Sequence, residues 1–485
     1  MDIILAGFNI ETDHMDEIHK VDRNLLTPEI FSSAYARISR SKKSITELRS
    51  DARNDVGKAR QSNQKIIFEM GHHSVAEHAV FNFDLIGLSR LALESIERFR
   101  LVSYTEKSQR YVTLKGDYLI PEEFTDTNLR NDYIGVIELQ NGMYESLYRL
   151  LKDYIFGEFP DLAGEKSGKT LLEGYAKEDA RYILSLATLG QVGMTINARN
   201  LEHLFRHFSL SGLLEVKKAG EKLFNLVEKV APSLILFPEP SAFEKDLTTV
   251  QVENPGTAGG DGLINGPVII DHEKDGDDRI LASFLSISDA VSFPAALNRV
   301  SDMSAGSKRK LFEKMFRNLE FFDTPPRNFE FADITFEALV SASNFAQLKR
   351  HRMASLIQGE YRIEHGNTIP QNIKKIGMEA EFNRVISETN SLYSLLRERY
   401  GSPADYILTN SHRRHVIMKM NLREAFHFIR LRSDKHAQWD IKNLSDRLLT
   451  AIRKLFPLST MLLCGKDSYI ETFEKIYNKK PKFLI

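Results

Sequence analysis

The sequence has 485 residues, 42% of them hydrophobic, with a formal net charge of -1 and a single cysteine. This length and composition are typical of a globular chain with two or three domains, and the near-zero charge argues against nucleic acid as a partner. A single cysteine excludes an intramolecular disulfide and a cysteine-built zinc site, so we expect a cytoplasmic protein.

The first elements of the chain can be predicted from their hydrophobic periods. The opening MDIILAG predicts a strand, because its apolar run is too short for a signal peptide, and no run in the chain reaches the length of a membrane span. Residues 45–60 are strongly charged and predict a solvent-exposed helix. Residues 80–85 alternate between apolar and polar, which predicts a half-buried strand.

A histidine-rich stretch at residues 72–78 precedes that strand. His73 and Glu77 are one helical turn apart and could both ligate zinc, which would suit a metal-dependent nucleotide hydrolase. A complete three-ligand motif with helical spacing is absent. We therefore predict no metal site and keep the hydrolase as a secondary hypothesis.

The next segment with chemical character is RFRLVSYTEKSQRY, residues 98–111, which has the pattern of a helix end followed by a loop. Glu106, Ser108 and Arg110 recur at every second position, so in an extended loop they face the same way. Such an array of acceptor, hydroxyl and cation suits a phosphorylated nucleoside. A solvated arginine-rich helix end is the alternative interpretation.

The middle of the chain is predicted to be mainly helical, with one break. We expect a strand at residues 111–124, amphipathic helices at 133–156 and 176–189, a glycine-rich domain boundary near 241–267, and a strand at 279–291 that opens a second half. The lone cysteine, Cys464, has no histidine motif beside it and is predicted to be a small buried residue.

A second basic cluster, QLKRHRMASLIQGEYR, occupies residues 347–362 and also has the pattern of a helix end. Gln347 and Arg350 are three residues apart, so on a helix they share a face and could bind one anionic ligand. Arg350 and Arg352 would point in nearly opposite directions. Two ligands could therefore be held at this helix end, for instance a nucleotide phosphate and a ring cofactor.

Both clusters resemble the signature of flavin-dependent thymidylate synthases, in which an Arg-His-Arg triplet is followed by a serine loop that ends in Arg-Tyr. The second cluster keeps the triplet but has lost the serine loop, whereas the first keeps the loop but has Phe99 in the histidine position. Two further positions differ from the family's pattern. In the first half of the chain, Phe208 lies near the place of the family's substrate-activating arginine. In the second half, Asp405 falls at the spacing at which the first half has Arg181, a position that contacts the nucleotide in the family.

Residue by residue, the resemblance implies the following roles. Flavin would be contacted by His72, Ser74, Glu77, His351, Arg352, Asn197, Arg199, His203, Asn421, Arg423 and His427. The nucleotide would be bound by Gln347, Arg350, Glu106, Ser108, Gln109, Arg110 and Arg181. Arg432 would be catalytic, because a guanidinium beside an acidic ring N–H stabilises the conjugate base and makes the neighbouring ring carbon nucleophilic.

The matched positions also indicate a tandem duplication. Glu77 and Glu330 are 253 residues apart, and Arg98 and Arg350 are 252 apart. Asn197 and Asn421 are 224 apart, so the offset is near-constant with one contraction. The resemblance implies an α+β fold of two domains, each an antiparallel or mixed sheet with long packed helices. We predict a first repeat at residues 1–240, a linker at 241–267 and a second repeat at 268–485.

The family's reaction is reductive methylation of dUMP to dTMP, with FAD as redox carrier, methylenetetrahydrofolate as methylene donor and NADPH as reductant. Because the two repeats are incomplete in opposite halves, we predict one composite site built from both, within a chain or between chains. We expect a homodimer that resembles a tetramer of single repeats. A flavin- or nucleotide-binding homologue with altered or lost catalysis is the main alternative.

Overall fold

The computed structural model describes residues 1–12, 26–108, 116–250 and 266–483. The chain divides into two compact units, and we call them the first and the second unit. The first unit contains Met1–Gly259 and Ile369–Asn410, and the second contains Gly260–Thr368 and Ser411–Ile485. Within the described ranges, no helix is long and apolar enough to cross a membrane.

Each unit contains a four-stranded antiparallel sheet with the same topology. The first sheet, of order β1-β2-β4-β3, consists of β1 (Asp2–Phe8), β2 (Val80–Ser89), β3 (Ser103–Glu106) and β4 (Leu189–Asn197). The second sheet, of order β5-β6-β8-β7, consists of β5 (Val268–His272), β6 (Asp333–Ser341), β7 (Ser355–Tyr361) and β8 (Arg413–Asn421). The identical strand order confirms the predicted duplication and the α+β class.

Helices cover the remainder of both units. The first unit contains α1 (Glu29–Arg37), α2 (Ile45–Asn54), α3 (Val56–Gln64), α4 (Arg90–Ile96), α5 (Thr127–Glu158), α6 (Pro160–Gly164), α7 (Lys166–Ala180), α8 (Ala198–Ser209), α9 (Leu214–Glu228), α10 (Ala242–Val250), α15 (Gln371–Lys375) and α16 (Glu379–Tyr400). The second unit contains α11 (Gly276–Ser288), α12 (Phe293–Ser301), α13 (Ala305–Phe316), α14 (Ala342–Leu348), α17 (Leu422–Arg432), α18 (Trp439–Leu455) and α19 (Tyr469–Tyr477).

Several predicted elements are confirmed. The strand predicted at 80–85 forms the start of β2, where Phe81, Phe83 and Leu85 are buried and the residues between them face outward. The helix predicted at 133–156 lies inside α5, which runs for 32 residues. Cys464 is buried, and burial raises the pKa of its thiol, so it is an inert core residue.

The strand predicted at 279–291 is wrong, because this segment forms α11. Ile280 and Leu281 are buried, and Phe284 and Leu285 pack beside the same core one turn later, which is helical spacing. The opening strand of the second sheet is the shorter β5, which begins eleven residues upstream. A short apolar run does not by itself distinguish a helix from a strand.

Two further predicted elements are wrong, one in its described part and one over most of its length. No strand forms in the described part of 111–124, where Tyr118 makes only an isolated bridge to Thr188. The helix predicted at 176–189 ends at Ala180, since the chain then turns and β4 begins at Leu189. Side chains from 180 to 187 are all buried, so their apolar character reflects a packed turn and not a helix face.

The grouping of residues 369–410 with the first unit could not be read from the sequence, since they follow the predicted linker by a hundred residues. Ser185 bridges Thr409, its equivalent at the 224-residue offset. Around this bridge, the amide of Leu186 donates to Leu408 O at 2.7 Å, and the amide of Asn410 donates to Leu184 O at 2.9 Å. Matching segments of the two repeats therefore pair inside the first unit. The repeat boundary itself stays a prediction, and residues 251–265 of the linker lie outside the described residues.

A buried carboxyl group, Glu215, reinforces this arrangement. It accepts hydrogen bonds from the Ser89 amide at 2.8 Å, the Ser89 hydroxyl at 2.6 Å and the Tyr406 hydroxyl at 2.9 Å. Burial raises the pKa of Glu215 above its usual value of 4.5, although these three bonds oppose the shift. The carboxyl group thus connects the end of β2 to the turn at Ser402–Ile407.

We expect Glu215 to make the first unit less stable as the pH rises. Because its pKa is higher in the folded than in the unfolded chain, its contribution is fully present below about pH 4.5 and is lost as the pH rises through the folded pKa. Glu215→Gln should therefore reduce the loss of unfolding free energy above pH 4.5, measured by urea denaturation across pH. Glu47→Gln is the control, because hydrogen bonds from Ser44 lower the pKa of Glu47 and move its effect below 4.5. Equal slopes for the wild type and Glu215→Gln would contradict the assignment.

Candidate functional site

The basic triplet of the second repeat lies where α14 ends, as predicted. Arg350 is exposed, His351 is only 3% exposed and Arg352 is half-buried, and the chain then continues into β7. A histidine buried between two arginines requires hydrogen-bond partners. It has two of them, both on α17.

The contacts of His351 determine its tautomer. Nε of Arg432 donates to Nε2 of His351 at 2.9 Å, so this ring nitrogen must be the acceptor. The proton consequently sits on Nδ1, which donates to Oε1 of Glu424 at 3.2 Å. Burial, together with Arg432, lowers the pKa of His351 well below its usual range, whereas burial raises the pKa of Glu424. His351 is therefore neutral at physiological pH. Its hydrogen bond to Glu424 fixes the orientation of the imidazole ring, and the ring in turn fixes the position of the Arg432 guanidinium.

Arg432 also contacts Gln347, so three predicted site residues belong to one cluster. Its Nη1 and Nη2 lie 3.4 Å from the side-chain and backbone oxygens of Gln347, respectively. Nε2 of Gln347 in turn donates to Oε1 of Gln438 at 3.3 Å. We call Gln347, His351 and Arg432 the guanidinium cluster. Its members come from α14, the turn after it and α17.

An aspartate holds the helices of this cluster in place. Asp440 in the first turn of α18 accepts from the Ser341 hydroxyl at 2.6 Å and from Nδ2 of Asn344 at 3.0 Å. Gln438 caps the same helix by accepting from the amides of Asp440 and Ile441. The start of α14 is thereby fixed to the start of α18, which positions Gln347.

The predicted flavin residues on α17 have structural partners in the second unit. Asn421 caps α17 by accepting from the Glu424 amide at 2.9 Å. Arg423 lies 3.3 Å from Glu330 and donates to Pro325 O at 2.9 Å. The His427 ring lies 5.6 Å from that of His351, measured between centroids.

The first unit repeats this arrangement on α8. Asn197 caps the helix by accepting from the Asn200 amide at 2.9 Å, and Arg199 pairs with Glu77 at 2.5 Å. His203 is exposed one turn further along. Both repeats thus keep the ion pair between an arginine in the first turn of a helix and a glutamate in the short 3-10 turn before the second strand.

The guanidinium cluster itself is absent from the first repeat. Phe99 and Phe208 stand where the second repeat has His351 and Arg432, and their ring centroids are 6.3 Å apart. Nη1 of Arg98, the equivalent of Arg350, lies 3.2 Å from Nε2 of His207, and burial with this guanidinium lowers the pKa of His207 to about 4. An apolar pair has thus replaced buried His351 and half-buried Arg432 at the same place in the fold.

The loop residues of the first repeat occupy the end of its sheet. Burial alternates from Tyr104 to Ser108, so Glu106 and Ser108 lie on one side of an extended segment, as their spacing predicted. Arg181 is buried where α7 ends. Gln109 and Arg110 lie outside the described residues.

In the second repeat the corresponding loop is folded into the sheet. Strand β7 has seven residues, whereas β3 has four. The Arg414 guanidinium lies 4.0 Å from the ring centroid of Tyr361, and its Nε donates to Gly359 O at 2.9 Å. These contacts keep the chain paired along β8, so the second repeat does not present an open serine loop.

His72 and Ser74 line one cavity of about 250 Å³ in the first unit, together with Tyr35, Arg40 and Met70. The mixed lining, with an arginine, an aromatic ring and a thioether, suits part of a flat, charged ligand. In the second unit, Arg327 takes the place of Ser74 and pairs with Glu330 at 3.3 Å. Among the residues that the structure describes, no group of three or more His, Cys, Asp or Glu could hold a metal ion.

Four contact residues escaped the sequence analysis: Glu424, Asp440, Arg90 and Asn410. Arg90 alone carried a signal, since a lone charge in the apolar run LIGLSRLAL suggests a buried, paired cation. The partners of the others lie too far away in the chain to be found by spacing.

Comparisons with known proteins match both halves of the chain. The family model described as thymidylate synthase complementing protein matches residues 24–233 and again 268–458. A UPF0159 protein of Thermoplasma acidophilum is 24% identical over 447 residues, which are 84% of this chain and 88% of that protein. A flavin-dependent thymidylate synthase of Clostridium tetani is 33% identical over 179 residues, 36% of this chain and 69% of that one. The solved structure of flavin-dependent thymidylate synthase from Helicobacter pylori with FAD and dUMP shares 20% identity at a TM-score of 0.30, covering 49% and 100% of the two chains.

The replacement of the polar pair by an apolar pair predicts energetic coupling between His351 and Arg432. His351→Phe or Arg432→Phe alone leaves a buried polar partner without its bond and should cost about 1–3 kcal/mol of unfolding free energy. The double variant reproduces the aromatic pair of the first repeat and should lose less than the sum of the singles. Chemical denaturation of all four proteins measures the difference, and additive losses would contradict the coupling.

Proposed function

Since this chain belongs to the family of thymidylate synthase complementing proteins, we propose that it converts dUMP to dTMP by flavin-dependent reductive methylation. The observation that carries the proposal is the guanidinium cluster, in which Arg432 contacts both Gln347 and His351. A guanidinium held at three of its nitrogens has a fixed plane, which is the requirement for recognising one edge of a pyrimidine ring.

The chemistry proposed for Arg432 follows from its charge. The guanidinium remains protonated, so beside the acidic ring N–H of dUMP it favours the anionic ring and raises the nucleophilicity of the neighbouring carbon. Its interaction strengthens as charge develops, and it therefore lowers the barrier more than it tightens binding. Neutral His351 holds Arg432 without adding a competing charge.

The residues present fit a flavin. In the first unit, His72 and Ser74 line a cavity with Arg40 and aromatic and apolar neighbours, a donor set suited to a flat ring and its phosphates. The hydride chemistry would belong to bound FAD, with NADPH as the proposed reductant and methylenetetrahydrofolate as the proposed carbon donor. The chain's residues would orient these partners and exclude water.

We further propose that each site uses residues of both repeats. The first repeat keeps Glu106, Ser108 and Arg181, but Phe99 and Phe208 replace its guanidinium cluster. The second repeat keeps the cluster, but its loop is paired as β7. The proposed assembly is a homodimer that resembles a tetramer of single repeats.

A second candidate is a flavin- and nucleotide-binding protein without synthase activity. Asp405 at the spacing of Arg181, and the loss of one half of the signature from each repeat, favour it. Flavin that is bleached by NADPH, in a protein that never turns over dUMP, would select this candidate.

The function is tested with the purified protein and one matched pair of variants. We expect a flavin absorption spectrum, bleaching by NADPH, and formation of dTMP from dUMP and methylenetetrahydrofolate. Arg350→Ala should abolish dUMP binding, because it removes the proposed phosphate contact. Arg98→Ala, at the equivalent position, should leave binding intact, because His207 already holds that guanidinium. Equal losses in both variants would show two working sites and contradict the composite proposal.

Cooperation between the repeats is tested by a double-mutant cycle. Ser108→Ala and Gln347→Ala should each weaken dUMP binding by about 1–3 kcal/mol, because each removes a hydrogen bond to the nucleotide. If both residues contact the same ligand, the double variant should lose less than the sum of the two. Titration of the flavin-loaded protein with dUMP gives the affinities, and strict additivity would argue for separate sites.

A further inference from the structure

Asn410 is hydrogen-bonded through both its backbone and its side chain in the first unit and is 1% exposed. Its amide nitrogen donates to Leu184 O at 2.9 Å, as part of the pairing between matching segments. In its side chain, Oδ1 accepts from Nε of Arg90 at 3.2 Å, and Nδ2 donates to Arg181 O at 2.9 Å. The carboxamide orientation is therefore determined, since a guanidinium only donates and a carbonyl only accepts.

Arg90 extends this contact to the loop of the first repeat. The side chain is 4% exposed, and its Nη1 lies 3.1 Å from Oε1 of Glu106, which is itself 7% exposed. Glu94 provides a second carboxylate at 4.0 Å. A buried guanidinium needs such acceptors to offset the loss of its hydration. Glu106 and the backbone of Arg181 are thus connected through Arg90 and Asn410.

The second repeat has no counterpart of this connection. In the second repeat, Ala342 occupies the position of Arg90, and Gln358 occupies that of Glu106. The residue equivalent to Asn410 is Leu186, which belongs to the first repeat. Ala342 and Leu186 are each completely buried, and neither side chain can donate or accept a hydrogen bond. The first repeat, which keeps the proposed nucleotide ligands Glu106 and Arg181, therefore also has this polar connection. The second repeat, which has Gln358 and Asp405 at those positions, lacks the arginine that makes it.

We infer that Arg90 and Asn410 are positioning residues for the nucleotide-binding half of the site, which holds Glu106 and Arg181. Asn410 belongs to the second repeat by sequence, so the first repeat's half of the site is incomplete without a residue from the second. The inference rests on the proposed function, because it takes Glu106 and Arg181 as ligands of dUMP. Binding groups must be held within about 0.5 Å of the productive geometry, and the bridge fixes one oxygen of Glu106 and the turn that carries Arg181.

The main experiment compares Asn410→Ala with a matched control, Gln140→Met, in the flavin-loaded protein. Gln140 is also a fully buried carboxamide that holds residues 369–410 in the first unit, but it does so from α5, with bonds to Thr389 at 2.9 Å and Ile407 O at 3.0 Å. Neither of these partners is a proposed ligand of dUMP. Both variants should lower Tm. Only Asn410→Ala should raise the Kd for dUMP, by about tenfold or more, with turnover at saturating dUMP changed less than about twofold.

Energetic coupling between Asn410 and Glu106 distinguishes a positioning role from a purely structural one. If Asn410 acts through Arg90 on Glu106, then Asn410→Ala should raise the Kd by a smaller factor in a Glu106→Gln background than in the wild type. Should Asn410→Ala fail to fold, Arg90→Lys decides the question. It keeps a charge for Glu106 but cannot bond Asn410 at the same time, and a severalfold rise in Kd is expected.

The outcomes separate this inference from the proposed function. A wild-type protein that does not bind dUMP would remove both. Tight dUMP binding that is unchanged in Asn410→Ala, or in Arg90→Lys where the first variant does not fold, would overturn the positioning role alone. An equal rise in Kd for Gln140→Met, or independent effects of Asn410→Ala and Glu106→Gln, would also overturn it, because general loosening would then explain the change.

Discussion

A guanidinium that is partly or wholly removed from water needs acceptors for its N–H groups, and the two repeats of this chain meet that requirement at different places. In the second unit, Arg432 contacts neutral His351 and the two oxygens of Gln347. In the first unit, Arg90 contacts Glu106 and Asn410. Where either arginine is missing, the positions of its partners have changed as well: Phe99 stands at the position of His351, and Leu186 at that of Asn410. The two repeats therefore differ by the replacement of whole groups of interacting side chains and not of single residues.

This co-replacement explains why the signature is divided so cleanly between the repeats. Phe99 and Phe208 are each unremarkable as single substitutions, but together they form a packed aromatic pair at the place of an imidazole and a guanidinium. Restoring the arginine alone at the buried position of Phe208 would place it beside Phe99, which cannot accept its hydrogen bond, at a cost of about 1–3 kcal/mol. Such a position resists reversion, which keeps the signature divided between the repeats.

The duplicated fold also lets one repeat support the other. Residues 369–410 follow the predicted linker, yet they belong to the first unit, where Thr409 bridges its equivalent Ser185. This pairing delivers Asn410 to Arg90 and the Arg181 carbonyl. A single-repeat chain would obtain the same pairing only from another subunit. Covalent linkage of the repeats allows the two partners to differ, and the polar bridge is built on one side only.

Local pattern by itself determined the duplication, the strand at the start of β2, the long helix α5 and the place of the triplet at a helix end. Each of these depends on residues within a few turns of one another, or on a repeated offset. Only the tertiary structure decided that residues 279–291 form a helix, because an apolar run suits either element until its partners are known. Tertiary contacts also decided the tautomer of His351, which depends on Glu424 and Arg432 from another helix. Arg90 and Asn410 lie 320 residues apart, and no spacing rule connects them; their bond exists because the fold excludes water from both.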